Sequence, residues 1–194
     1  MPAPAGKCAL HMDTTTQIYL ELTMVGGEVL GESNAGGYET RIDIDSFDFA
    51  AIGKAKSLKD ATSSSVGSNP DFSPVTVTKV FDRASLLIAN AMKNRQKFTE
   101  AKIAVDQQYI DPEWVGKERN EILILYLYDG YITEVTLRTS EGGTGAEIKE
   151  TAKLSYQNYR VVYYAEKRDE VGKLLDDWRP QAFVYETSRT IQEA

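Results

Sequence analysis

Asn120–Thr139 reads NEILILYLYDGYITEVTLRT, and the path of the chain through this stretch decides the fold. From Ile122 to Tyr128 both alternating positions are apolar, so a strand here is covered on both faces. Asp129-Gly130 follows, a dipeptide that readily takes a type I′ hairpin turn. The stretch is therefore either two strands joined near Asp129–Gly130 or one long strand bent there.

Strand signals repeat on both sides of it. Gln17–Val25 (QIYLELTMV) alternates Ile18, Leu20, Leu22 and Met24 with polar neighbours, and Gly26-Gly27 and the segment Gly31–Gly37 supply turns. Thr40–Phe49 (TRIDIDSFDF) reads as a second strand, with Ile42 and Ile44 on one face and Phe47 and Phe49 on the other parity, so a bulge is expected near Asp45–Ser46. Residues 53–74 are polar and Ser-rich, a length of structureless chain that is more often functional than incidental. Val75–Phe81 is a strand, and Asp82 then caps a helix to about Lys93 with a stripe of Leu87, Ile88, Ala91 and Met92. Thr99–Gln107 alternates again, Tyr109–Arg119 is a loop and Glu141–Gly145 a Gly-rich turn. Glu147–Lys167 is a long strand or a pair of strands, Arg168–Pro180 holds a short amphipathic helical turn, and Ala182–Arg189 is the last strand. Seven or eight strands against one good helix define a mainly β chain, a barrel or sandwich. No fixed-period repeat interrupts that reading.

Composition narrows the function. The 194 residues are 42% hydrophobic and 26% charged, ordinary values for one globular domain. The net charge of −7 disfavours nucleic acid, whose phosphates call for clustered cations. The longest apolar run, Ile122–Leu127, is far short of the ~20 residues that span a bilayer, so no membrane insertion is expected. A single Cys excludes an internal disulfide, and a single His removes most metal sites and triads. Both, Cys8 and His11, fall within residues 1–12 (MPAPAGKCALHM), which lack the apolar centre of a signal peptide. This segment reads as a disordered arm or a cloning-site remnant, with the domain spanning residues 13–194. The acids Asp43 and Asp45 would point the same way on a strand and suit a cation or a glycosidase pair, but a solvated strand face is the simpler account. Asp106, Asp111 and Glu113 read as solvated acids too. Tyrosines clustered between Tyr126 and Tyr164 suit half-buried sheet positions and subunit interfaces. No catalytic, cofactor or metal residues emerge, and an enzyme is not expected.

In their order these elements resemble the hemolysin-coregulated protein family, the tube subunit of bacterial type VI secretion. Ile18–Leu22 with Gly31-Glu32-Ser33 is similar to the family's first strand and turn, and Ile42–Phe49 to its second strand, which ends in an aromatic pair. Thr76–Ser85 (TVTKVFDRAS) resembles the hallmark passage from strand to helix, with Lys79, Asp82 and Arg83 in place. Glu121–Leu127 through Asp129 to Gly143 resembles the family's long strand, which bends without reversing, and Leu154–Tyr163 its penultimate strand. The likeness runs from about Ile18 to Thr187. It implies a single-domain β-barrel with one flanking helix, forming hexameric rings that stack into a tube inside a contractile sheath. The tube bears a spike protein at its tip and carries effector proteins in its lumen. Such a protein works in the bacterial cytoplasm until it is secreted, with no signal peptide and no cofactor.

The resemblance places Asp48, between the two aromatics, toward the lumen, and Arg41, Asp43 and Asp45 would line the same wet bore. It gives the extended loop at residues 54–71 to contacts between subunits and rings, making Lys54, Lys56, Lys59, Asn69 and Asp71 candidates there, along with Glu141. Departures are Arg95, where the family's helix usually ends in Gly, so a different cap is expected, and a variable C-terminal segment at residues 169–194 with an insertion at 169–179. Two neighbouring roles share these features: a free ring that receives and protects effectors, and the tube protein of a phage-tail-like contractile particle. A ring of subunits each carrying −7 should stack weakly at low salt and more firmly as screening rises.

Overall fold

The computed structural model describes residues 14–35, 38–52, 71–109, 121–142, 145–165 and 181–186. The long central strand is single: it runs from Glu121 to Gly142, 22 residues without reversal. It is the ninth of the described strands. Before it come β1 (Thr14–Met24), β2 (Gly27–Val29), β3 (Ile42–Ile44), β4 (Ser46–Asp48), β5 (Ala51–Ile52), β6 (Asp71–Phe72), β7 (Val75–Val80), helix α1 (Arg83–Lys93) and β8 (Lys97–Tyr109). After β9 come β10 (Gly145–Ser155), β11 (Asn158–Ala165) and β12 (Gln181–Glu186).

The hairpin at Asp129–Gly130 does not form because β9 is already paired along both edges there. Glu100 faces Tyr128 and Phe98 faces Gly130 from β8, while Asn158 of β11 and Ser155 of β10 continue one register on the other side. The bend is taken within that register: Asp129 turns left-handed (φ 57), and Lys97 holds its carboxylate at 3.0 Å. Opposite it, the β10–β11 strand breaks at Tyr156-Gln157. Gly130 is required by close approach, since a Cβ there would lie 2.0 Å from the Ser155 carbonyl oxygen and 2.2 Å from the Phe98 ring. The 147–167 segment is accordingly two strands that act as one long partner of β9.

The expected second strand is divided at Asp45. Ile42–Ile44 pairs with β1, whereas Ser46–Asp48 pairs with β7. The change of parity seen in the sequence is therefore a change of partner rather than a bulge. The hydrogen-bonded order runs β2-β1-β8-β9-β10-β7-β4 and stays open, with β11 and β12 continuing off β9. The short kinked segment Ile42–Asp48 bridges its two ends, so the barrel closes through the chain rather than through a complete ladder. Strand segments outnumber the seven or eight expected because two strands are cut at kinks and because the short strands β2, β5 and β6 add to them.

One core fills the barrel. Leu20, Leu22, Ile42, Val75, Val77, Phe98, Ala101, Ile103, Leu125, Leu127 and Leu154 meet Ala84, Ile88 and Ala91 of α1. Leu87, assigned to the helix stripe from sequence, instead faces solvent. The apolar run on β9 is covered on both sides, because Ile124 is buried on the face opposite Leu125 and Leu127. Asp106, read as solvated, is buried as well. The segment at 181–186 within the variable C-terminal region joins the sheet beside β11. Residues 1–12, the helical turn at 168–180 and the insertion at 169–179 lie outside the described residues.

Candidate functional site

Three polar groupings sit around the barrel, and each is built by strand register. The first is internal. Lys79, on the inner face of β7, is 1% exposed, and Glu150, its register neighbour on β10, is 0% exposed. The ammonium reaches Asp82 Oδ1 at 2.6 Å, the Val80 carbonyl at 2.7 Å, Ser85 Oγ at 2.9 Å and Glu150 Oε2 at 3.5 Å. Asp82 and Ser85 also form a reciprocal capping box at the start of α1. The motif TVTKVFDRAS is thus a structural clasp fastening helix to sheet, and Glu150, its distant member, gave no sequence signal. Arg83 extends the clasp: its backbone N–H donates to Glu32 and its Nε to the Leu30 carbonyl. Gly31 lies so close to the Arg41 carbonyl that a Cβ would be 2.2 Å away, which accounts for the glycine of Gly31-Glu32-Ser33.

The second grouping ties β1, β3, β8 and β9 on the outer side. Arg41 bonds Glu21 at 2.7 Å, and Lys102 lies 3.3 Å from Glu21 and 3.1 Å from Glu121. Arg41 also stacks over Tyr38, which stacks on Tyr19 at 4.0 Å. Burial lowers the Lys102 pKa, but the hydrogen bond and charge of Glu121, with help from Glu21, raise it overall. Asp43 is exposed in the neighbouring β3, opposite Tyr19.

The third is a broad face over β9, β10, β7 and β4. Its first row is Glu134, Lys153, Thr76 and Asp48, and its second is Thr136, Thr151, Thr78 and Ser46. Arg138, Lys149 and Val80 form the next. Lys153 bonds Glu134 at 2.6 Å, and Lys149 bonds both Asp45 at 3.0 Å and Glu147 at 3.2 Å. The Asp45 and Glu147 carboxylates hold the Lys149 pKa above its ordinary value, Asp45 most strongly. Hydroxyls and paired charges make this face wet and nearly neutral.

The four lumen candidates thus divide. Asp45 and Asp48 share the third face, whereas Arg41 and Asp43 stand beside β1. The kink at Asp45 also separates Asp43 from Asp45, so they form no paired-acid site. Among the described residues no group of His, Cys, Asp or Glu could hold a metal ion, and no helix is long and apolar enough to cross a membrane. Lys54, Lys56, Lys59 and Asn69 lie outside the described residues, although β5 and β6 pair to close the base of their loop. Asp71 and Glu141 are placed by backbone only, in β6 and β9.

Residues 19–163 match the family described as type VI secretion system effector, Hcp. The chain belongs to this family, the tube subunits of type VI secretion systems. Solved structures agree in fold. A type six secretion system protein matches with a TM-score of 0.65 and 20% identity, covering 87% of this chain and 95% of that one. The Hcp1 protein from the E. coli EAEC 042 pathovar matches at TM-score 0.61 and 14% identity, covering 89% and 99%. Secreted Hcp3 from Pseudomonas aeruginosa matches at 0.56 and 16%, covering 90% and 100%. No single curated protein sequence matches significantly.

Proposed function

We propose that the protein acts without catalysis, as a subunit of hexameric rings that stack into a tube and carry effector proteins through the bore. In this reading the tube bears a spike protein, runs inside a sheath and leaves the bacterial cytoplasm when the system fires. The observation that supports it is the face over β9, β10, β7 and β4. A passage for folded cargo needs a surface with no apolar patch and little net charge, and paired Lys153–Glu134 and Lys149–Asp45 between rows of Thr and Ser supply one. Asp45 and Asp48 are then lumenal. Arg41, pinned between Glu21 and Tyr38, serves as a tie between strands, with Asp43 beside it. Lys54, Lys56, Lys59, Asn69, Asp71 and Glu141 are assigned to contacts between subunits and between rings.

Size-exclusion chromatography with light scattering tests the architecture: the expected mass is near six subunits, and a monomer at high concentration overturns it. Asp48→Arg tests the bore. Asp48 is exposed, so rings should keep their mass while retention of an effector in pull-down falls by roughly tenfold, equivalent to about 1.4 kcal/mol. Unchanged retention removes Asp48 from the lumen.

A further inference from the structure

Two groups of large apolar side chains stand outside the core. On α1, Leu86 is 66% and Leu87 49% exposed, and Leu30, exposed just after β2, is tied to the start of the helix through its carbonyl and Arg83 Nε. On the long hairpin, Leu137 is 53% and Ile148 48% exposed. Both of the latter belong to the face that, nearer the barrel, carries core-lining Val135 and Ala152, and here that face is only half covered among the described residues, with Glu150 buried beside Leu137. The reason is reach. β7 ends at Val80, opposite Lys149, and β8 leaves β9 at Tyr131. Ile132–Gly142 therefore has one edge with no strand partner among the described residues, and from the level of Lys149 outward β9 and β10 run on as a two-stranded arm. Leu137 stands at its base in a row with Glu150 and Lys79, and the Phe81 N–H still reaches the Ile148 carbonyl. An apolar face on an open edge invites another chain.

The two groups flank the helix on opposite sides. Ser85 turns toward β7 and β10 through Lys79, while Arg83 turns toward Glu32 and Leu30. Leu86 and Leu87, three and four residues after Arg83, share its side of the helix. The arm and the leucine face therefore do not meet within one subunit. Charge identifies the occupant. From Arg83 to Arg95 the chain holds three exposed cations, Arg83, Lys93 and Arg95, and no acid, on a protein of net charge −7. A second copy is repelled by most of this surface and drawn to that part of it.

We propose that the arm of one subunit packs Leu137 and Ile148 onto the Leu30–Leu86–Leu87 face of the next. The inference rests on the ring reading above and names the surfaces that close it. Unlike patches mating head to tail are what a closed ring requires.

Two paired variants test it: Leu137→Lys with Ile148→Lys on the arm, and Leu86→Gln with Leu87→Gln on the helix. All four positions are exposed, so circular dichroism and the unfolding midpoint should not change; if a pair fails to fold, Leu137→Thr and Leu86→Gln alone make the same test. In light scattering each variant alone should fall from six subunits to one. An equimolar mixture should form 1:1 dimers, because the helix variant's intact arm can dock on the arm variant's intact helix face and nothing further can add. Variants that remain rings, or a mixture that stays monomeric, overturn the inference while a wild-type ring leaves the ring reading standing. A monomeric wild-type chain overturns both.

Discussion

Lys79 shows how much one side chain carries when burial removes the alternative of water. Its ammonium faces two carboxylates, Asp82 and Glu150, and a hydroxyl that is itself part of the helix cap. Lys79→Met leaves Glu150 buried and Asp82 partly buried without their counter-charge, and breaking a buried pair in this way costs about 3–5 kcal/mol. Urea denaturation should show that loss, and adding Glu150→Leu should recover part of it; a loss under about 1 kcal/mol would mean that the clasp is replaceable. Tyr156 makes the complementary case at alkaline pH. Burial, reinforced by Tyr159, pushes its pKa from 10.0 up to about 12. The folded state therefore holds the phenolic proton that the unfolded chain releases, so the contribution is complete below pH 10 and is lost as pH rises toward 12. Tyr156→Phe keeps the ring, removes this titration and should flatten the fall in stability across that window; an unchanged slope assigns the fall to other groups. Lys79, Asp82 and Arg83 were visible in the sequence as a motif. Glu150 was not, because only the β7–β10 register brings a residue 71 positions away beneath the same ammonium.

Helix α1 ends where the sequence expected a different cap, yet it makes the closure a glycine would make. Arg95 adopts φ 51, its N–H donates to the Met92 carbonyl, and the N–H of Gln96 donates to Ala91. That is the Schellman arrangement, formed by a residue with a Cβ in a left-handed conformation. Such a conformation costs a non-glycine residue roughly 1–2 kcal/mol, and glycine's greater unfolded freedom offsets part of the relief. Arg95→Gly should raise stability by about 1 kcal/mol with an unchanged denaturant slope, and a loss would show that the arginine side chain compensates its backbone. Along the strands, alternation read the elements well where one face meets the core, as in β1 and β7. It misread the helix stripe at Leu87, because the helix is buried along Ala84, Ile88 and Ala91 and the barrel leaves its next face to solvent.

For the molecule as a whole, charge and shape act at different ranges. The −7 on every subunit opposes the approach of one ring to another, whereas the contact proposed between neighbours within a ring is largely apolar. Sedimentation across a salt series should therefore show stacks lengthening as ionic strength rises and the Debye length falls below about 10 Å, with the mass of the single ring constant. Stacks that shorten with salt would show that attraction between rings, not repulsion, is electrostatic. Asp45 and Asp48 were legible as candidates for the bore, and the tertiary structure separated them from Arg41 and Asp43 by changing the strand partner at Asp45. By itself the sequence determined the mainly β character, the central helix with its Asp82 cap, much of the core and the family, because these follow from local alternation, capping and motif order. Only the tertiary structure decided that the strand ladder stays open while the barrel closes through the chain, that Glu150 completes the clasp, and that Leu137 and Ile148 are left half exposed. Each of those depends on which strand lies beside which and where a neighbour stops, and pairing between distant segments leaves no periodic trace along the chain.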